Sequence, residues 1–230
     1  MSTHPPLLEV IACSVADAVA AERGGADRIE LIDHFEMGGL TPPLPLVEEV
    51  LAAVRIPVRV MVRANAGFEV EDGRELETLC AAASDLRRLP VDGLVLGFVR
   101  GGAIDLPAML AVLTQAPHLF ATFHRAFEVL PDPLAAIRVL KTLPQIDHIL
   151  TSGGERAWAD KIDDLARQAE AARPEIDLLL GGGLSAAVMP LIRSRTSIRA
   201  FHVGRAARAP ATVFGVVEAG QVTALKRLLS

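Results

Sequence analysis

The sequence predicts a closed (β/α)8 barrel in a single domain. Three observations carry that expectation: eight short apolar runs, a helix-period segment between most of them, and no Gly-x-Gly-x-x-Gly fingerprint after the first run. The competing fold, an open doubly wound sheet, would need those glycines if it bound a dinucleotide, and "IACSVADAVA" contains none. No proline, serine or glycine tract and no charge block divides the chain, so residues 1–230 read as one unit.

The strands are expected at residues 7–12, 27–32, 57–62, 93–98, 119–124, 147–152, 176–181 and 198–203, each rich in β-branched residues or leucine. After the first, "SVADAVAAERGG" should be a helix, with Ser14 capping its start and Gly24 or Gly25 stopping it. The prolines of "LTPPLPLVEE" suit a loop and the first turn of the next helix. A last amphipathic helix is expected over about 215–229, either closing the barrel bottom or meeting a partner, and a homo-oligomer is one expected outcome.

With 230 residues, 51% apolar and 22% charged, the chain can bury a full core and is not a disordered segment. A net charge of -5 argues against nucleic acid, which rewards clustered cations. The amino terminus lacks a basic region, its apolar run is broken by Glu9, and no stretch approaches a membrane span, so a cytoplasmic protein is expected. Cys13 and Cys80 are the only cysteines; a disulfide or zinc framework is not indicated, and the two are expected to form neither a disulfide nor a shared copper site.

Barrel chemistry sits where strands end and βα loops begin. The candidates are Glu9, Glu30, Asp33, Arg63, Thr122, His124, Arg125, Thr151, Ser152, the triplet Gly181, Gly182 and Gly183, then His202, Gly204 and Arg205. Glu9 and Glu30 stand inside apolar strands, where a carboxylate lines the mouth or is ion-paired, for instance with Arg28 or Arg59. "TFHRAFE" sets an imidazole beside a permanent cation directly after a strand. His4, His118 and His148 precede strands or lie at the terminus and are set aside. Lys141, Lys161 and Lys226 fall in or beside helical segments, so no strand-end lysine is expected to form a Schiff base.

"GADRIELI", "GGLTPP", "VMVR", "TFHRAFE", "ILTSGG" and "LLLGGGL", in this order, resemble the copper-homeostasis family CutC over Glu9 to about His202. The resemblance implies the (β/α)8 barrel, a cytoplasmic location, an oligomer and a link to copper. It also implies cysteines after the first and second strands, but Ile11, Ala12 and Ile32 stand there. The family's "RPRGGDF" is "RANAGF" at 63–68, and its "HSSG" is "HVGR" at 202–205. Glu30, Arg63, His124, Arg125 and His202 remain, so the polar mouth outlasts the thiols.

Three readings follow. One is an enzyme for a small phosphorylated or carboxylated metabolite, with His124 or Glu30 as acid or base and Arg63 and Arg125 as anion clamps. The second is a copper-handling protein. The third is a zinc or manganese enzyme using Glu9, Glu30, His124 and His202. Loops after strands seven and eight often hold phosphate, which gives the glycine triplet a purpose: an anion between Gly182, Gly183, Gly204 and Arg205.

Overall fold

The computed structural model describes residues 5–229; His4 lies outside them. Eight parallel strands close into a barrel: β1 (Leu7–Ala12), β2 (Arg28–Leu31), β3 (Val58–Met61), β4 (Gly93–Leu96), β5 (Phe120–Phe123), β6 (Ile146–Thr151), β7 (Asp177–Leu180) and β8 (Ala200–Val203). Each pairs with its neighbour in sequence, and β8 closes on β1 through Leu7 beside Ala200 and Glu9 beside His202.

Eight helices follow the strands: α1 (Val15–Arg23), α2 (Leu44–Ala53), α3 (Gly73–Leu86), α4 (Leu106–Leu113), α5 (Pro133–Leu140), α6 (Trp158–Ala172), α7 (Val188–Arg195) and α8 (Ala219–Arg227). Ser14 caps α1 by accepting from the Asp17 N–H, and Asp72, Asp105 and Asp132 do the same for α3, α4 and α5. Gly24 ends α1, where a Cβ would strike Val222 of α8.

Successive strand residues point to opposite faces, and the composition of the two faces differs. Leu8, Val10, Ile29, Leu31, Val58, Val60, Leu94, Leu96 and Phe201 face outward into one large apolar layer beneath the helices. Among the described residues the lumen holds two small apolar groups, Ile11, Ile32, Met61 and Val95, and Leu150, Leu179 and Ala200. Buried polar and charged side chains, among them Glu9, Arg28, Glu30, Arg59, Thr122 and His202, stand beside them. At the bottom, buried Arg59 donates to Asp92 (2.9 Å), Asp147 (2.5 and 2.6 Å) and Thr122 (2.8 Å). Thr122 is therefore part of the barrel floor and not of the mouth, and His148 lies at the same end, 2.9 Å from Asp147.

One boundary differs from expectation. The last helix begins at Ala219, not near 215, because Val216–Val217 pairs antiparallel with Arg208–Ala209. Buried Arg208 pins this hairpin, donating to the Gly215 carbonyl (2.6 Å) and to Asp17 (3.0 Å). The helix itself lies along α1 and pairs Lys226 with Asp27 at 2.5 Å. Among the described residues, no helix is long and apolar enough to cross a membrane.

Candidate functional site at the barrel mouth

The deepest part of the site is a chain of charged groups. Register sets Glu9 beside both Arg28 and His202, and its two oxygens are divided between them: Oε2 accepts from Arg28 Nε at 2.5 Å, and Oε1 meets His202 Nδ1 at 2.8 Å. With Nδ1 bound there, His202 turns Nε2 towards Glu30, 3.7 Å from Oε2. The other Glu30 oxygen, Oε1, is buried without a hydrogen-bond partner.

These surroundings drive the two carboxyls apart. Burial alone would raise both; at Glu9 the Arg28 and His202 contacts outweigh it and hold the group well below the usual carboxylate range. At Glu30 burial wins, helped by the Glu9 charge and opposed by His202 and Arg28, and its pKa is pushed up to about 7. His202 is raised, since the two glutamates overcome its own burial. Glu9, Glu30 and His202 offer donor atoms within 4.8 Å of one another, a set a zinc or manganese ion accepts. Yet Arg28, 2.5 Å from Glu9, already supplies cationic charge there.

His124 forms the second part. Its Nδ1 accepts from the Ala126 N–H at 3.1 Å, so a neutral ring carries its proton on Nε2, which is buried and unpartnered. Burial, then the Arg63 and Arg125 charges, push its pKa down to about 3. Phe68 packs against the ring, with centroids 5.4 Å apart, and Gly97 is required opposite, where a Cβ would sit 2.7 Å from Nδ1.

Arg63 is the main departure from expectation. Its guanidinium donates to the carbonyls of Gly67, Gly38, Gly39 and Ala66. It ties the loop after β2 to the loop after β3, so it is a latch on the mouth and not a free anion clamp. Arg125 is half exposed and grips Glu128 Oε2 at 2.6 and 2.9 Å, while Glu128 Oε1 accepts from the Ser152 hydroxyl and N–H at 2.5 Å. Thr151 turns its hydroxyl to the Gly153 N–H. Asp33 is engaged through its backbone, bridging to Leu40.

The glycine triplet divides its work. A Cβ at Gly181 would meet Leu150 and His202, and one at Gly182 (φ +76°) would meet Ser152 at 2.6 Å; Gly183 (φ +82°) has open space before it. Gly204 allows Phe35 and Ile11 to close in. Arg205 is exposed and makes no side-chain hydrogen bond or ion pair among the described residues.

Glu30, Arg63, His124, Arg125, His202 and Arg205 line one cavity of about 1200 Å³, together with Ser152, Gly182, Gly183 and Gly204. Residues spread over the whole chain thus open onto a single mouth. Glu9 and Thr151 do not line it; Glu9 lies beneath, behind His202. Lys161 does line it, although it lies on a helix and not at a strand end. In a βα unit the helix begins at the mouth, Lys161 is in the first turn of α6, and helical side chains lean towards the amino terminus.

Comparison with known proteins agrees with the barrel fold. The model of the CutC family matches residues 6–207. The chain belongs to the CutC family. A CutC family protein of Xanthomonas campestris is 37% identical over 204 residues, 88% of this chain and 84% of that protein. The human copper homeostasis protein cutC homolog is 36% identical over 197 residues, 85% of this chain and 72% of its own. A solved CutC structure from Streptococcus agalactiae superposes with a TM-score of 0.80 at 28% identity, covering 86% of this chain and 98% of that one. The CutC barrel is therefore the scaffold on which this polar mouth is built.

Proposed function

We propose that this CutC protein is a cytoplasmic acid–base enzyme for a small metabolite carrying a phosphate or carboxylate. One observation carries the reading: Glu30 Oε1 and His124 Nε2, two buried and unpartnered polar atoms, belong to residues lining the same cavity. A buried polar atom without a partner is costly, and a substrate oxygen or proton would relieve both. Glu30, poised near neutrality, exchanges a proton with the substrate; His124, neutral across the working range, donates its Nε2–H to a substrate oxygen. Arg125 and the unpaired Arg205 draw the anion in, and the backbone at Gly182, Gly183 and Gly204 lets it approach closely.

The relatives' names point to copper, so the thiols decide whether copper fits. Copper(I) favours thiolates. Burial pushes Cys13 up to about 11 although Arg208 opposes it, which keeps it a thiol. Cys80 lies on α3 and donates to the Ala111 carbonyl at 3.4 Å, away from the mouth. These residues do not fit a copper(I) site.

Inorganic phosphate or sulfate tests the anion seat by thermal shift. A ligand at 100 times its Kd adds roughly 2.7 kcal/mol, and Arg205→Ala should remove most of the rise in Tm. No rise in the parent, or the same rise in the variant, would sink this reading.

A further inference from the structure

The three lysines of the chain have unequal surroundings. Lys226 holds both oxygens of Asp27 at 2.5 Å, and Lys141 pairs with Glu175 at 2.7 Å and with the carbonyls of Ala171 and Arg173. Lys161 has no carboxylate within ion-pairing distance among the described residues. It is buried to 3% exposure, lines the cavity, donates to the Gly154 carbonyl at 2.8 Å, and lies 3.8 Å from the centre of the Trp158 ring. With one N–H on the carbonyl and one towards the ring, the third N–H of the ammonium has no partner among the described residues.

We propose that Lys161 is a carbonyl-capturing amine, forming an imine with a small anionic aldehyde or 2-oxo acid bound in the barrel mouth. This rests on the mouth being a ligand site, as argued above. The nitrogen lone pair attacks the carbonyl carbon, and the C=O π electrons move to oxygen. That oxygen collects two protons released from nitrogen and leaves as water, while nitrogen closes a C=N bond. Ammonium plus carbonyl thus becomes iminium plus water, with atoms and charge balanced and no further reactant.

The surroundings suit the free amine that starts this step. An amine in an apolar pocket or beside other cations gives up its proton more readily. Here burial lowers the pKa of Lys161, Glu128 offsets part of that, and Arg156 and Arg125 add to the lowering. The exposed guanidinium of Arg205, which lines the same cavity, favours a substrate bearing negative charge.

Reductive trapping of the full chain with glyoxylate and cyanoborohydride at pH 7, read by peptide mass spectrometry, tests the proposal. Lys161 should be the principal alkylated lysine, ahead of Lys141 and Lys226, whose ammonium groups are held by Glu175 and Asp27. Urea should erase the preference. Lys161→Arg should leave the other two rates unchanged. Equal rates at all three lysines in the folded protein would overturn the inference, and that result is independent of whether the variant folds. A phosphate-induced thermal shift without selective labelling would overturn this inference alone. Selective labelling without such a shift would uphold the amine and remove the anion seat at Arg205.

Discussion

Replacing Glu30 by glutamine isolates the buried proton on which the acid–base reading depends. Burial raises the Glu30 pKa from 4.5 to about 7, so between those values the folded state binds a proton that the unfolded chain has lost. Stability from this group is complete below pH 4.5 and declines as pH rises through 7. The difference of about 2.5 corresponds to roughly 3 kcal/mol, at about 1.36 kcal/mol per unit. Glutamine resembles the protonated acid and does not titrate. The variant should lie within about 1 kcal/mol of the parent at pH 5 and exceed its stability by about 3 kcal/mol at pH 8, less whatever His202 loses when its anionic neighbour is removed. The comparison must be made between the two proteins, since the parent profile alone mixes opposing groups: His124, depressed to about 3, costs the fold stability as pH falls below 6.5. Urea denaturation at pH 5, 6, 7 and 8, with equal m-values in both proteins, measures it. A parent-to-variant difference that is flat with pH, or that favours the parent at pH 8, would refute the placement of a protonated Glu30 in the lumen.

Two further outcomes follow from the same contacts. His124 should show a single neutral tautomer, with the proton on Nε2, and constant ring chemical shifts from pH 5 to 8 in NMR; a midpoint near 6.5 would mean the ring is solvated. Arg63→Met keeps the buried stem but loses the bonds to four loop carbonyls. Since hydrogen bonds from a charged donor contribute about 1.5–3 kcal/mol each before relaxation, a net loss of at least about 2 kcal/mol is expected, with new proteolytic cleavage near residues 36–39 and 64–68. Unchanged stability and cleavage would show that the latch carries no load.

Much of the architecture can be read along the chain because it rests on local pattern. Apolar runs at 7–12 or 198–203 mark strands, and Ser14 or Asp132 followed by helical periodicity marks a helix start. Closure into a barrel then brings strand ends together, which is why the strand-end positions of Glu30, His124 and His202 mark them as residues of one mouth. The terminal hairpin was hidden, since Val216 and Val217 have a helix-compatible sequence and become strand only through pairing with Arg208 and Ala209.

Roles depended on contacts instead. Arg28 and Arg59 are both inward-facing strand arginines, but only the register decides that one binds Glu9 and the other binds Asp92 and Asp147. Arg63 keeps its strand-end position and spends its charge on loop carbonyls. Lys161 lies between these cases: its place in the first turn of α6 is legible, since a helix following a strand starts at the mouth, whereas the missing carboxylate partner is not. The sequence by itself determined the eight barrel strands, most of the helices and the end of the barrel to which residues such as Glu30, His124 and His202 belong, because these follow from periodicity and chain direction; Thr122, placed at the floor by its bond to Arg59, is an exception. Only the tertiary structure decided which charges are neutralised and which are left open to a ligand, because that depends on distances of a few ångströms between residues as far apart as Glu9 and His202.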